Sequence, residues 1–130
     1  MVESWRIRDL VQAKLAGRKI DVVGFIDELL DMAKEAGEIR CRLATEQRLR
    51  FEFGDQTCEV DLEGARGKLR MLCARLSVLC NETGGSAVSA YGGHGLIANL
   101  KDQWTARFQN TPGEQEFSIA FVAARQRIAP

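Results

Sequence analysis

Apolar residues recur every three to four positions along three segments of the chain, and this spacing predicts three helices. Ser4 and Asp21 are residue types that cap helix N-termini, and glycine is typical of the positions where helices end. The first two helices are close in sequence, so we expect them to form an N-terminal hairpin. The predicted helices span residues 4–17, 21–37 and 64–81.

Between the second and third predicted helices the hydrophobic period changes to two, which is typical of strands with one buried face. Matching the apolar residues of neighbouring runs places Leu43 opposite Leu49 and Phe53 opposite Cys58, with arginine and acidic residues on the outer face. The pattern predicts a three-stranded antiparallel meander. The three runs cover residues 39–43, 49–53 and 58–62.

After the third helix the period of two returns in residues 104–108 and 117–121, and residues 88–90 and 96–100 indicate short additional strands. The whole pattern predicts an α+β fold, with two or three further antiparallel strands and the helices on one face of the sheet. We expect a single domain over residues 1–130, divided into a helical hairpin (1–37) and a sheet-plus-helix core (38–130). The element order resembles that of small secretion chaperones, which act as dimeric protein binders, without a shared motif.

The charge balance gives no general attraction to nucleic acid or to anionic membranes, because 18 Lys and Arg residues offset 18 Asp and Glu residues. The two N-terminal helices followed by strands resemble a winged helix in outline. Four acidic side chains on the would-be recognition helix would repel DNA phosphates, so nucleic-acid binding is not expected. These residues are Asp27, Glu28, Asp31 and Glu35. The sequence also predicts no membrane span.

The four cysteines show no spacing typical of a metal site or a redox pair. Each of them falls on a predicted apolar face, where a thiol acts as a small buried hydrophobic group. We therefore expect no metal, no cofactor and no disulfide, in a protein of the reducing cytoplasm. The cysteines are Cys41, Cys58, Cys73 and Cys80.

Residues 83–100 contain no charged side chain and include five of the twelve glycines and the only histidine, His94. Consecutive glycine amides can bind an anion, and His94 can transfer a proton or sense pH. The same residues can instead form a tight turn, with His94 in a local hydrogen bond. Neither a P-loop nor a dinucleotide-binding fingerprint is present. The candidate binding residues are Tyr91, Gly92, Gly93, His94 and Gly95.

These features favour a small, non-enzymatic protein-interaction or regulatory domain that binds a protein partner or associates with itself as a homodimer. Trp5 is a candidate interface residue, because a large aromatic side chain near the N-terminus must pack somewhere or contribute to a partner surface. The alternative is a small-molecule site, for binding alone or for catalysis, in a glycine-rich loop over residues 84–95 around His94.

Overall fold

The computed structural model describes residues 2–83 and 87–124, and it confirms the predicted α+β architecture. Within these residues, three helices and six strands occur in the predicted order. They are α1 (Ser4–Lys14), α2 (Val22–Ala36), β1 (Glu38–Thr45), β2 (Arg48–Phe53), β3 (Gln56–Asp61), α3 (Ala65–Glu82), β4 (Gly92–Ala98), β5 (Asp102–Thr111) and β6 (Glu114–Ala124). The strands form one antiparallel sheet in the order β3-β2-β1-β6-β5-β4.

The ends of α2 follow the predicted capping. The Asp21 carboxylate accepts a hydrogen bond from the backbone N–H of Gly24 at 2.9 Å, and this bond lowers the pKa of Asp21. Gly37 ends the helix with a φ of 88°, in the region that favours glycine. Helix α1 differs from the prediction, because Ser4 is its first helical residue rather than its cap.

The register of the meander is partly as predicted. Leu43 lies opposite Leu49 in the first hairpin, which confirms the expected pairing. In the second hairpin Cys58 lies opposite Phe51 instead of Phe53, so the prediction there is wrong by two residues. The reason is a tight turn formed by residues 54 and 55, in which Gly54 adopts a φ of 57°. This turn is shorter than the connection that a pairing of Phe53 with Cys58 would leave.

All three helices pack on one face of the sheet, and the core lies between the two layers. Trp104 of β5 joins them, because its indole Nε1–H donates a hydrogen bond to the Leu30 carbonyl of α2 at 3.0 Å. Its ring also meets Phe121 of β6 edge to face, with the ring centroids 5.9 Å apart. No helix within residues 2–83 and 87–124 is both long and apolar enough to cross a bilayer.

Candidate functional site

Part of the charge-free segment, residues 83–100, forms an edge strand of the sheet. Gly92, Gly93, His94 and Gly95 begin strand β4, so the expectation of a loop is wrong for these four residues. Tyr91 precedes the strand and is 68% exposed. Residues 84–86 of the expected loop lie outside the part of the chain that the structure describes.

The glycines of β4 allow close packing of the strand, at Gly95 against α3 and at Gly93 against Val88. A Cβ atom added at Gly95 would lie 2.9 Å from Cys80 Cβ and 3.0 Å from its Sγ. A Cβ atom added at Gly93 would lie 3.0 Å from Val88 Cγ1. Real Cβ atoms essentially never come as close as 2.9 Å, and the 3.0 Å contact at Gly93 is tighter than most, so these glycines serve close packing against Cys80 and Val88.

The backbone groups of β4 alternate in direction. The Asn110 N–H donates to the Tyr91 carbonyl at 2.8 Å, and the Asn99 N–H donates to the Asp102 carbonyl at 3.0 Å, at the two ends of the β4–β5 ladder. Bonded and non-bonded pairs alternate along an antiparallel ladder, so His94, Leu96 and Ala98 direct their N–H and C=O groups away from β5. The consecutive glycine amides therefore do not converge on one point.

The side of β4 that points away from β5 is an open edge of the sheet. Apart from a single bridge between Ser89 and Gly92, no strand within residues 2–83 and 87–124 pairs with it there. The strand has no charged residue, and Leu96 is exposed on its outer face. The opposite edge, β3, carries Glu59 and Asp61, which are charges of the kind that protect sheet edges from pairing.

The helix-free face of the sheet, which we call the outer face, has a neutralised half formed by β1, β2 and β3. Each arginine of β2 is paired with acids there. Arg48 lies 2.7 Å from the carboxylate of Asp61, and Arg50 lies 3.4 Å from that of Glu59. On β1, Arg42 lies 3.1 Å from Glu52. These strands therefore satisfy most of their own charges.

The other half of the outer face presents one arginine and one histidine from β4 and β5, and an acid, Glu116, from β6. Arg107 of β5 lies directly opposite His94 of β4, and β4 and β5 present no Asp or Glu to this face. The one acid of β5, Asp102, is buried on the helix side and lies 2.8 Å from Lys34 Nζ. Neither His94 nor Arg107 forms a side-chain hydrogen bond or ion pair with another described residue.

A groove of about 520 Å³ crosses the outer face beside this pair. Ser118 of β6 lies opposite both Arg107 and Arg40, so a small hydroxyl separates two long cationic side chains. Glu116, also in the groove, lies opposite Arg42. The pKa of Arg40 is raised mainly by its hydrogen bond to Glu38, and the charge of Glu116 makes a smaller contribution. The alternation of residues 104–108 predicts that Arg107 points outward, but not which strands lie beside it.

The cysteines are not activated nucleophiles. All four are free and buried. Burial raises the pKa of Cys73 to about 12, and it raises the pKa of Cys41 and Cys80 as well. A thiol that stays protonated at neutral pH reacts slowly.

Trp5 does not join the β4 site. It lies on α1, where it is exposed, and α1 packs against β3 at the opposite edge of the sheet. Its suggested interface role therefore remains a separate prediction.

No protein-family model matches this chain, and a search of curated proteins gives no match. The geometry of the open β4 edge and of the adjacent His94–Arg107 pair is therefore the basis for assigning a function.

Proposed function

We propose that the protein is a small, non-enzymatic protein-interaction domain that binds an extended chain segment along strand β4. The open, charge-free edge of this seven-residue strand is the observation that carries the proposal. Sheet edges in monomeric proteins are usually protected by charges, proline, bulges or covering segments. The β3 edge has charges of this kind and β4 has none, which supports pairing at β4.

Strand addition accounts for the exposed groups at this edge. The incoming segment would exchange main-chain hydrogen bonds with His94, Leu96 and Ala98, whose backbone groups point away from β5. Tyr91 and Leu96 would supply apolar contacts beside those bonds. Main-chain bonds give such complexes much of their affinity, and side chains on alternate positions give specificity.

A second copy of the chain is one possible source of this segment, and it would produce the homodimer expected from the sequence. Two β4 strands can pair about a two-fold axis without charged side chains in the new ladder. The zero net charge of the chain adds little repulsion between copies. The four buried free thiols fit a reducing compartment, which supports a cytoplasmic site of action.

Leu96→Pro tests strand addition. The N–H of Leu96 points to the open edge, so proline removes an edge donor without removing a bond to β5. We expect at least about a tenfold loss of self-association or partner affinity, which corresponds to about 1.4 kcal/mol. Light scattering over a concentration series and quantitative pull-down from a cell lysate would measure the two forms of binding.

Thr57→Pro is the matched control at the other edge. The Leu62 N–H donates to the Gln47 carbonyl at 2.9 Å, and by alternation the N–H of Thr57 points away from β2. The control should retain the binding of the wild-type protein. A wild type that remains monomeric at all concentrations and captures no protein, or equal binding by both proline variants, would contradict the proposal.

Binding of a small anion beside His94 is a second candidate function. The pairing of Arg107 with His94, with no acid of β4 or β5 on the outer face, favours it. A thermal-shift screen with nucleotides, sugar phosphates and small acids would compare the wild type with His94→Ala. A ligand at one hundred times its Kd should stabilise the wild type by about 2.7 kcal/mol, and less of this gain should remain in His94→Ala. A shift that is equal in both proteins would count against this candidate.

A further inference from the structure

We infer that the segment bound at β4 is acidic, with an Asp or Glu beside His94 and Arg107 and an apolar residue two positions away beside Leu96. This inference rests on the proposed function, because it names the chemistry of the strand that β4 receives. It follows from the charges of the outer face and from the alternation of side chains along a strand.

The two strands at the open edge, β4 and β5, present no acid to the outer face. Opposite charges on neighbouring strands are stabilising, and Arg107 faces His94 rather than an acid. All four arginines of β1 and β2 form ion pairs with acids, whereas Arg107 forms none with a described residue. Glu116 of the neighbouring strand β6 lies diagonal to Arg107 and forms no ion pair with it. An acid on an added strand would approach His94 and Arg107 from the open edge, on the side opposite Glu116.

The open edge determines where that acid enters. A strand added to β4 would lie about 4.8 Å from it, so one outer-face side chain of the added strand would lie beside His94. The long Arg107 side chain starts one strand further in and can reach toward the same carboxylate. Arginine binds carboxylates with two parallel hydrogen bonds, which would add specificity to the main-chain contacts.

The spacing of the recognised residues follows from the strand period. His94 and Leu96 are two positions apart, so both present side chains to the outer face. Their neighbours on the added strand are also two positions apart. The expected motif is therefore an acidic residue and an apolar residue separated by one position, in either order according to strand direction.

A second copy of β4 does not supply this chemistry. Its sequence contains no acid, and two-fold pairing would bring a second His94 and Arg107 to the junction without neutralising the first pair. The acids of β3 are on the outer face of the other edge, but Glu59 and Asp61 already pair with the arginines of β2. The charges thus favour a foreign acidic segment over self-pairing.

Phage-displayed random seven-residue peptides, panned against three full-length proteins, would test the inference. Wild type should enrich peptides in which an Asp or Glu lies two positions from an apolar residue. Arg107→Glu should enrich Lys or Arg at the acidic position, because the charge it recognises is reversed. Leu96→Pro should enrich neither the acidic nor the apolar residue, because the backbone N–H that Leu96 directs to the open edge is gone.

The pattern of enrichment separates the failure of this inference from that of the proposed function. Enrichment of apolar or neutral peptides, lost in Leu96→Pro and unchanged in Arg107→Glu, would support strand addition and overturn the acidic partner. If no peptide is enriched and Leu96→Pro abolishes dimerisation of the protein, the segment bound at β4 comes from a second copy, and the inference of an acidic partner is overturned. If there is neither peptide enrichment nor dimerisation that depends on Leu96, strand addition itself is contradicted.

Fluorescence anisotropy with the most enriched peptide would then measure the charge contribution. Replacing the peptide's Asp or Glu by the corresponding amide should weaken binding to wild type by about three- to fivefold, as for a partly exposed ion pair, and should leave binding to Arg107→Gln unchanged. Equal losses in both proteins would exclude Arg107 as the partner. Competition by free citrate or phosphate at millimolar concentration, without an effect of Leu96→Pro, would assign the basic pair to a small anion instead.

Discussion

Trp104→Ala is expected to reduce the free energy of unfolding by about 3–5 kcal/mol, as for other buried large-to-small substitutions of tryptophan. Trp104 is 2% exposed and contacts both layers of the fold. Its loss removes the edge-to-face contact with Phe121 and the hydrogen bond to the Leu30 carbonyl, and leaves a cavity between α2 and β5. A typical domain has only about 5–15 kcal/mol of stability, so the loss is a large share.

Trp5→Ala is the matched control for this measurement. Trp5 is 59% exposed, and its removal should change stability by no more than about 0.5 kcal/mol. Urea unfolding of the two variants and of wild type would be followed by circular dichroism. Tryptophan fluorescence is less suitable, because each variant loses one of the two tryptophans. Similar losses for both variants would mean that Trp104 does not connect the helices to the sheet as described.

The elements of the fold could be predicted because they depend on local patterns. The change of period from about 3.6 to two separates α2 from β1, and Asp21 caps α2 through a contact only three residues away. The first hairpin could also be predicted, because matching the apolar residues of neighbouring runs places Leu43 opposite Leu49. These features involve residues that are close together in sequence.

The second hairpin shows where local reasoning is insufficient. A shift of two residues keeps every side chain on the same face, so the alternation of apolar residues alone permits both registers. The choice depends on the turn, where Gly54 adopts a φ of 57° and closes the hairpin tightly. The conformation of one glycine therefore fixed the contacts of Cys58.

The position of the candidate site was visible in the sequence, whereas its chemistry was not. The absence of charge and the richness in glycine drew attention to His94, but a glycine-rich run is equally compatible with a loop and with a tightly packed strand. The edge position of β4 and the row from Arg40 through Ser118 to Arg107 depend on the insertion of β6 between β1 and β5. That arrangement pairs residues that are up to about eighty positions apart in sequence, and the hydrophobic period of each segment does not predict such pairings.

Gly95→Ala is expected to reduce the free energy of unfolding by about 1–3 kcal/mol, the usual cost of an additional group in a closely packed interior. The new methyl group would lie 2.9 Å from Cys80 Cβ, so β4 and α3 would have to move apart. Gly67→Ala is the control, because Gly67 lies in α3 with open space around it, and alanine there should add up to about 1 kcal/mol. Urea unfolding would give both values.

The same variant distinguishes packing from ligand binding as the role of the glycine. The methyl group of Gly95→Ala points toward α3, away from the outer face and from the open edge. If Gly95 serves packing, the folded fraction of the variant should bind peptides at β4 with the affinity of wild type while its unfolding midpoint falls. A variant with unchanged stability and lost binding would mean that the Gly95 backbone contacts a ligand directly, and β4 would then be a ligand site rather than a pairing edge.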